Sequence, residues 1–129
     1  MMDEIYSDLI LDLNKNPMNK KKIVGFSYRD KNPLCGDELE ISLEIDKTGV
    51  VRDVGFQGEG CAISQAAASL ITEQVKNKKV EEVVKMDIET VLKELGVPNL
   101  KNNPVRIKCA MLPLKAMKMA AFIYMAKKK

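Results

Sequence analysis

A chain of 129 residues, 46% apolar and 30% charged, has the composition of one ordinary folded domain spanning residues 1–129, not of a disordered segment. Its 21 basic and 18 acidic residues leave a net charge of +3, and the basic clusters at 20–22, 76–79 and 127–129 are expected to be solvated helix ends and loops. Three Tyr, three Phe and no Trp, with none inside a basic cluster, argue against a nucleic-acid surface.

In chain order, residues 3–14 place Ile5, Leu9, Ile10 and Leu13 at helical spacing, and the segment NKNPMN stops that helix. In KIVGFSYR, Val24, Phe26 and Tyr28 alternate as in a strand, and DKNPLCG follows as a loop. Leu39, Ile41, Leu43 and Ile45 then alternate strictly with polar residues, which predicts a strand with one buried face. KTG turns the chain into VVRDVGFQG, a returning strand with Val50, Val54 and Phe56 on one side. After GEG the period becomes helical, with Ile63, Ala67, Leu70, Ile71 and Val75 on one stripe. VEEVVKM and DIETVLKEL predict two short helices, the second capped by Asp87. A last helix is predicted from Pro104 onward, kinked or restarted at Pro113. Its Met111, Met117, Met119 and Met125 are expected to fill gaps in the core or on the surface. Strands followed by helices predict an α+β fold, with helices on one face of a small antiparallel sheet.

The N-terminal stretch MMDEIYSDLI opens with acids and not with a basic leader, and no apolar run approaches the ~18 residues of a membrane span. A cytoplasmic protein without membrane association is therefore expected. Three cysteines in a reducing compartment argue against disulfides. Histidine is absent, which excludes triads built on it and leaves thiols, carboxylates, lysines or a bound metal to carry any chemistry.

Each cysteine stands at an element boundary. Cys35 and Asp37 are two apart, so in extended backbone both face one side, in register with Leu39 and Ile41. Cys61 follows Gly58-Glu59-Gly60 and opens a helix, where the helix dipole favours thiolate and the glycines permit close approach. GEGCAIS does not match a phosphate-binding GxxxxGK[ST] loop. Cys109 lies near the start of the last helix, beside Arg106 and Lys108, whose charges also favour thiolate. Three small buried thiols, a metal site of three thiolates and one carboxylate, and reactive sulfur all fit these residues.

The combination is more specific than its parts. The segments NPMN, NPLCGDELEISLEI, VGFQGEGCAISQAAASLITE and VRIKCAMLPLKAM, together with Tyr6 and Asp8, make the chain resemble the U-type iron–sulfur cluster assembly scaffolds, the IscU, SufU and NifU N-terminal family, over essentially its whole length. The resemblance implies an α+β fold with a three-stranded antiparallel sheet. It implies that Cys35, Asp37, Cys61 and Cys109 meet at one surface, where they hold a transient [2Fe–2S] cluster or Zn²⁺. It implies a cysteine desulfurase as sulfur donor and apo iron–sulfur proteins as recipients, for a chain that is a carrier more than an enzyme, with sulfurtransferase activity alongside a desulfurase as the finer reading. A monomer or weak homo-oligomer is expected.

Two departures from the family pattern bear on the branch. Lys108 stands where IscU-type scaffolds have a histidine, which resembles the SufU branch, whose members bind zinc and accept sulfur. Yet Cys61 and Cys109 are only 48 positions apart, with extra length over an IscU-like chain confined to 96–104, where SufU proteins carry a longer insertion. The segment that heat-shock chaperones read in IscU is here Asn102-Asn103-Pro104-Val105-Arg106, which argues against a dedicated chaperone. The first expectation is thus an assembly scaffold, with a zinc-bound sulfur acceptor as alternative and a small domain with a structural zinc site as second alternative. Cys109, beside Arg106 and Lys108 and before Pro113, is expected to be accessible and to accept the persulfide.

Overall fold

The structure is a computed structural model that describes residues 8–33 and 36–128. The expectations placed on Ile5, Tyr6 and Cys35 lie outside the described residues. Helix α1 (Asp8–Lys15) leads into three strands, β1 (Phe26–Asn32), β2 (Asp37–Ile45) and β3 (Val51–Glu59). There follow α2 (Ala62–Val75), the short α3 (Val80–Val83) and α4 (Ile88–Glu94), a 3₁₀ turn at Pro98–Asn102, and the long α5 (Arg106–Lys128). The strands form one antiparallel sheet in the order β1-β2-β3, and α5 packs across β1, β2 and α2. This is the expected α+β architecture.

β2 follows its sequence pattern. Leu39, Ile41 and Leu43 are fully buried, and Asp37 shares their parity at 4% exposure. The alternation breaks at the hairpin. Glu44 pairs with Asp53, but Ile45 pairs with Val51, so Arg52 is an extra residue in β3. This bulge reverses the parity: Val51 is buried, whereas the sequence pattern points Val50 inward. Asp46 closes the turn by accepting from Thr48 N (2.8 Å), Thr48 Oγ1 (2.7 Å), Val50 N (3.0 Å) and Arg52 Nε (2.7 Å).

Three further expectations are corrected. Val24 lies outside β1 and is 94% exposed, because the strand starts only at Phe26. α2 has no polar face of the usual kind: Ile63, Ala67, Ile71 and Val75 are buried, but so are Ser64, Gln65, Ser69 and Thr72. It packs against β3, α1 and α5, so it is covered nearly all round. α5 neither stops nor restarts at Pro113. A proline inside a helix costs ~3 kcal/mol. Here the core contacts of Ala110, Leu112, Ala116, Met117, Ala120 and Ala121, all at most 5% exposed, hold the helix together through that position. Contrary to the absence of a long apolar run in the sequence reading, α5 has the length and composition of a membrane span, with 56% of its most apolar window buried inside the fold. As expected, Asp87 caps α4, its carboxylate accepting from Thr90 N at 2.8 Å.

Segment 16–19 straps the sheet to α2. The Asn19 carbonyl accepts from Phe56 N (2.9 Å), and Asn19 Nδ2 donates to Thr72 Oγ1 (3.1 Å) and Glu73 Oε1 (3.2 Å). Met18 N donates to Ser69 Oγ (3.1 Å). The buried hydroxyls of α2 thus have partners, and the outer edge of β3 is partly covered.

Candidate metal centre

Three elements deliver the site. Asp37 is the first residue of β2 and points to its buried face. Cys61 is the N-cap residue of α2, with extended backbone (φ −73°, ψ 172°). Its carbonyl accepts from Gln65 N (3.1 Å) and Ser64 Oγ (3.0 Å), while its side chain makes no capping bond. The helix start is therefore satisfied by the backbone and by Ser64, and the half-buried thiol is left to face the site.

Cys109 comes from the first turns of α5. Asn103 Oδ1 accepts from Val105 N (3.2 Å) and Arg106 N (3.0 Å), which fixes where the helix begins. Cys109 then turns inward, its Sγ 4.0 Å from the Val105 carbonyl. It is fully buried, at 0% exposure. The expected accessibility of this thiol is thus not found, because α5 runs unbroken through Pro113 and keeps this turn against the core. Of the two described cysteines, Cys61 is the more exposed.

A carboxylate oxygen of Asp37 and the Sγ atoms of Cys61 and Cys109 all lie within 4.8 Å of one another. Asp37 Oδ2 is buried and has no hydrogen-bond partner among the described residues. A buried acceptor left unsatisfied costs ~1–3 kcal/mol. The donor set of two thiols and one hard oxygen fits zinc or an iron–sulfur unit. Three of the four sequence-chosen residues are therefore together. Cys35, two residues before Asp37, lies outside the described residues.

Sequence reasoning gave the glycines a role in close approach but passed over how tightly they are packed around Asp37. A Cβ at Gly60 would lie 2.2 Å from Ser64 Oγ, 3.3 Å from Asp37 Cγ and 3.4 Å from its Oδ2. Gly58, at φ +129°, brings β3 so close to β2 that a Cβ there would lie 2.1 Å from the Glu38 carbonyl. Ser64 and Gln65 are buried, and Gln65 Nε2 donates to the Gly58 carbonyl at 3.4 Å. The signal was present in the sequence as glycines two apart just before a cysteine, with a serine one helical turn later.

The family model of the NifU-like N terminal domain matches residues 5–129. The chain belongs to this family. It is 34% identical over 131 residues to the iron–sulfur cluster assembly scaffold protein IscU of Buchnera aphidicola subsp. Acyrthosiphon pisum, an alignment covering 95% of this chain and 97% of that one. It is also 34% identical over 131 residues to the zinc-dependent sulfurtransferase SufU of Bacillus subtilis, covering 90% and 88%. Among solved structures, a protein described as an iron–sulfur cluster assembly scaffold for the SUF system (FiSufU) of Fervidobacterium islandicum AW-1 superposes with a TM-score of 0.75 at 33% identity, covering 91% and 96%. Family relatives thus include both scaffolds and a zinc-dependent sulfurtransferase.

Proposed function

We propose that this chain is an iron–sulfur cluster assembly scaffold. It accepts sulfur as persulfide from a cysteine desulfurase, gathers iron, holds a labile [2Fe–2S] cluster at Cys35, Asp37, Cys61 and Cys109, and passes the cluster to recipient apo-proteins. The observation that carries this reading is the buried Asp37 carboxylate: its Oδ2 has no hydrogen-bond partner among the described residues, and one of its oxygens lies within 4.8 Å of both thiols. A permanent structural site would favour a closed shell of thiolates. One oxygen donor among sulfurs makes a weaker hold on a soft iron–sulfide unit, which suits cargo that must leave. The site belongs in a reducing compartment, where the thiols stay free.

Sulfur arrives by thiolate attack. The acceptor thiolate attacks the terminal sulfur of the donor's Cys–S–SH, the S–S bond breaks, and the donor leaves as thiolate while the acceptor becomes Cys–S–SH. We assign the acceptor role to Cys109, which follows the cationic stretch Arg106-Ile107-Lys108 in sequence. Cys109 is buried and Cys61 is only half-buried, so the donor's persulfide reaches Cys109 only where the fold opens beside it.

A second reading has the same residues holding zinc and relaying persulfide without building a cluster. Lys108 before the third cysteine favours it. Anaerobic incubation with iron and sulfide separates the two. The scaffold develops the visible absorbance of a [2Fe–2S] cluster and then loses it to an apo-ferredoxin. A zinc relay stays colourless and still accelerates the desulfurase. Mass spectrometry after the desulfurase reaction reads the acceptor, and sulfur found only on the Cys61 peptide rejects Cys109.

A further inference from the structure

The outward side of α5 is a cationic groove without a partner inside the fold. Lys108, Met111, Lys115, Lys118 and Phe122 follow at spacings of three and four residues, so they share one side of the helix. Met111 and Phe122 are large apolar side chains left 45% and 46% exposed. One cavity of about 350 Å³ lies between α5 and the end of β1, at Lys31, Asn32 and Pro33. A second, of about 290 Å³, lies farther along the helix at Leu114, Met119 and Phe122. Both are lined by Met111 and Lys115, so the two cavities adjoin along this side of the helix.

The charge along α5 has one sign. α5 carries Arg106, Lys108, Lys115, Lys118, Lys127 and Lys128, and no acidic residue in its 23 positions. Among the described residues the only carboxylate lining the groove is Asp30, which is already held by Lys115 Nζ at 3.5 Å. Asp87, at the cap of α4, is within electrostatic reach of Lys118 from the side. Lys108 has no carboxylate within ion-pair distance among the described residues and stands next to Cys109. From Lys108 to Phe122 the groove runs about 21 Å, or four helical turns.

We propose that this groove docks an acidic amphipathic helix of another protein. Apolar side chains of that helix fill the two cavities over Met111 and Phe122, and its carboxylates pair with Lys108, Lys115 and Lys118. Helix-in-groove recognition uses anchors at this three–four spacing, and complementary charge sets encounter rate and orientation. An anionic membrane is the weaker fit, since it needs a broad projecting apolar face. Here the apolar surface lies in recesses between lysines, and the helix itself is more than half buried. The inference goes beyond the scaffold reading and does not depend on it.

The test reads binding, on metal-free and zinc-loaded protein alike. The probe is a labelled helix-forming peptide of 18 residues with Leu and Phe on one face and Glu on its flanks. Its twin has Lys for every Glu, and a third probe is phosphatidylglycerol vesicles. The acidic peptide should bind saturably, and binding should weaken about tenfold as salt is raised past the point where charges are screened. K115E/K118E should weaken it by roughly tenfold or more, as should Phe122→Ser, with circular dichroism showing the fold intact. K20E/K22E makes the same charge change at exposed loop lysines, and should leave binding within about twofold. Equal binding of the acidic and basic peptides, equal loss in both double variants, or tight vesicle binding with no peptide binding would each overturn the proposal.

Discussion

The Asp37 carboxylate lies directly over Gly60, so close that a methyl group on Gly60 would touch it at 3.4 Å. The same methyl would overlap Ser64 Oγ at 2.2 Å. No left-handed backbone is involved at Gly60, so the constraint is space alone. Gly60→Ala should therefore destabilise the fold by ~1–3 kcal/mol, the usual cost of overpacking, and weaken metal binding through a displaced Asp37. The double variant Gly60→Ala/Ser64→Ala separates the two effects. Removing Oγ relieves the severe overlap, so the melting temperature should recover while metal affinity stays reduced. Full recovery of both in the double variant would show that Gly60 does not set the Asp37 position.

The β2–β3 turn makes part of the stability acid-labile. The Asp46 carboxyl is held well below the usual carboxylate range, first by the Thr48 hydroxyl, then by Val50 N, with Arg52 adding to them against partial desolvation. Backbone and side-chain bonds from Thr90 lower Asp87, and Asn19 and Lys76 lower Glu73. A depressed folded pKa stabilises above the unfolded value and loses that contribution as pH falls through the folded one. Stability should thus be flat at neutral pH and fall below about pH 4, where unfolded carboxylates take up protons. Urea midpoints measured from neutral to strongly acidic pH check this. Asp46→Asn should lower the neutral midpoint and flatten the acid limb, and a variant with an unchanged acid limb would remove Asp46 from the account.

What the sequence made legible was whatever depended on local period. The alternation of Leu39, Ile41 and Leu43 set the inner face of β2, and its parity put Asp37 at the half-shielded rim of that face, which the fold buries further, to 4% exposure. Tertiary terms were hidden. The bulge at Arg52 leaves no trace in a two-residue period, so Val50 was expected where Val51 is buried. α2 read as amphipathic because its buried Ser64, Ser69 and Thr72 look polar, and only their partners in the fold explain their burial. Pro113 read as a kink or restart because local propensity says so, and core packing on both sides carries one helix through it. The burial of Cys109 follows from the same continuity of α5, so its exposure was misread along with the helix.

The shared site predicts a thermodynamic signature for zinc. A ligand that binds only the folded state stabilises it by ~2.7 kcal/mol at a hundred times its dissociation constant. For a chain of this size that is a melting-temperature rise on the order of 8–15 °C. Cys61→Ser and Cys109→Ser should each abolish most of this rise, as a thiolate ligand is exchanged for a poor hydroxyl donor. Cys61 is half exposed, so its Ser variant should leave the metal-free melting temperature almost unchanged. At the fully buried Cys109 the hydroxyl must also be desolvated, so that variant should lose ~1–2 kcal/mol without metal. A full zinc-induced rise in either variant would mean that the two thiols do not serve one ion.

Asp37 carries the sharpest prediction, because its role in the empty and loaded states has opposite sign. Without a metal, its buried Oδ2 has no hydrogen-bond partner among the described residues, which costs ~1–3 kcal/mol. Asp37→Ala removes that cost and leaves only a small void, so the metal-free protein should become more stable. The same variant loses a ligand, so zinc should stabilise it less than the parent. Asp37→Cys instead completes a softer shell, so a reconstituted [2Fe–2S] cluster should persist longer and move more slowly to an apo-ferredoxin. If Asp37 were only a structural residue at the start of β2, both substitutions would lower metal-free stability and leave transfer per bound cluster unchanged. Melting curves with and without zinc, read beside transfer rates from the decay of the cluster's absorbance, separate the two accounts. Loss of metal-free stability in Asp37→Ala together with unaltered transfer in Asp37→Cys would rule out the ligand role.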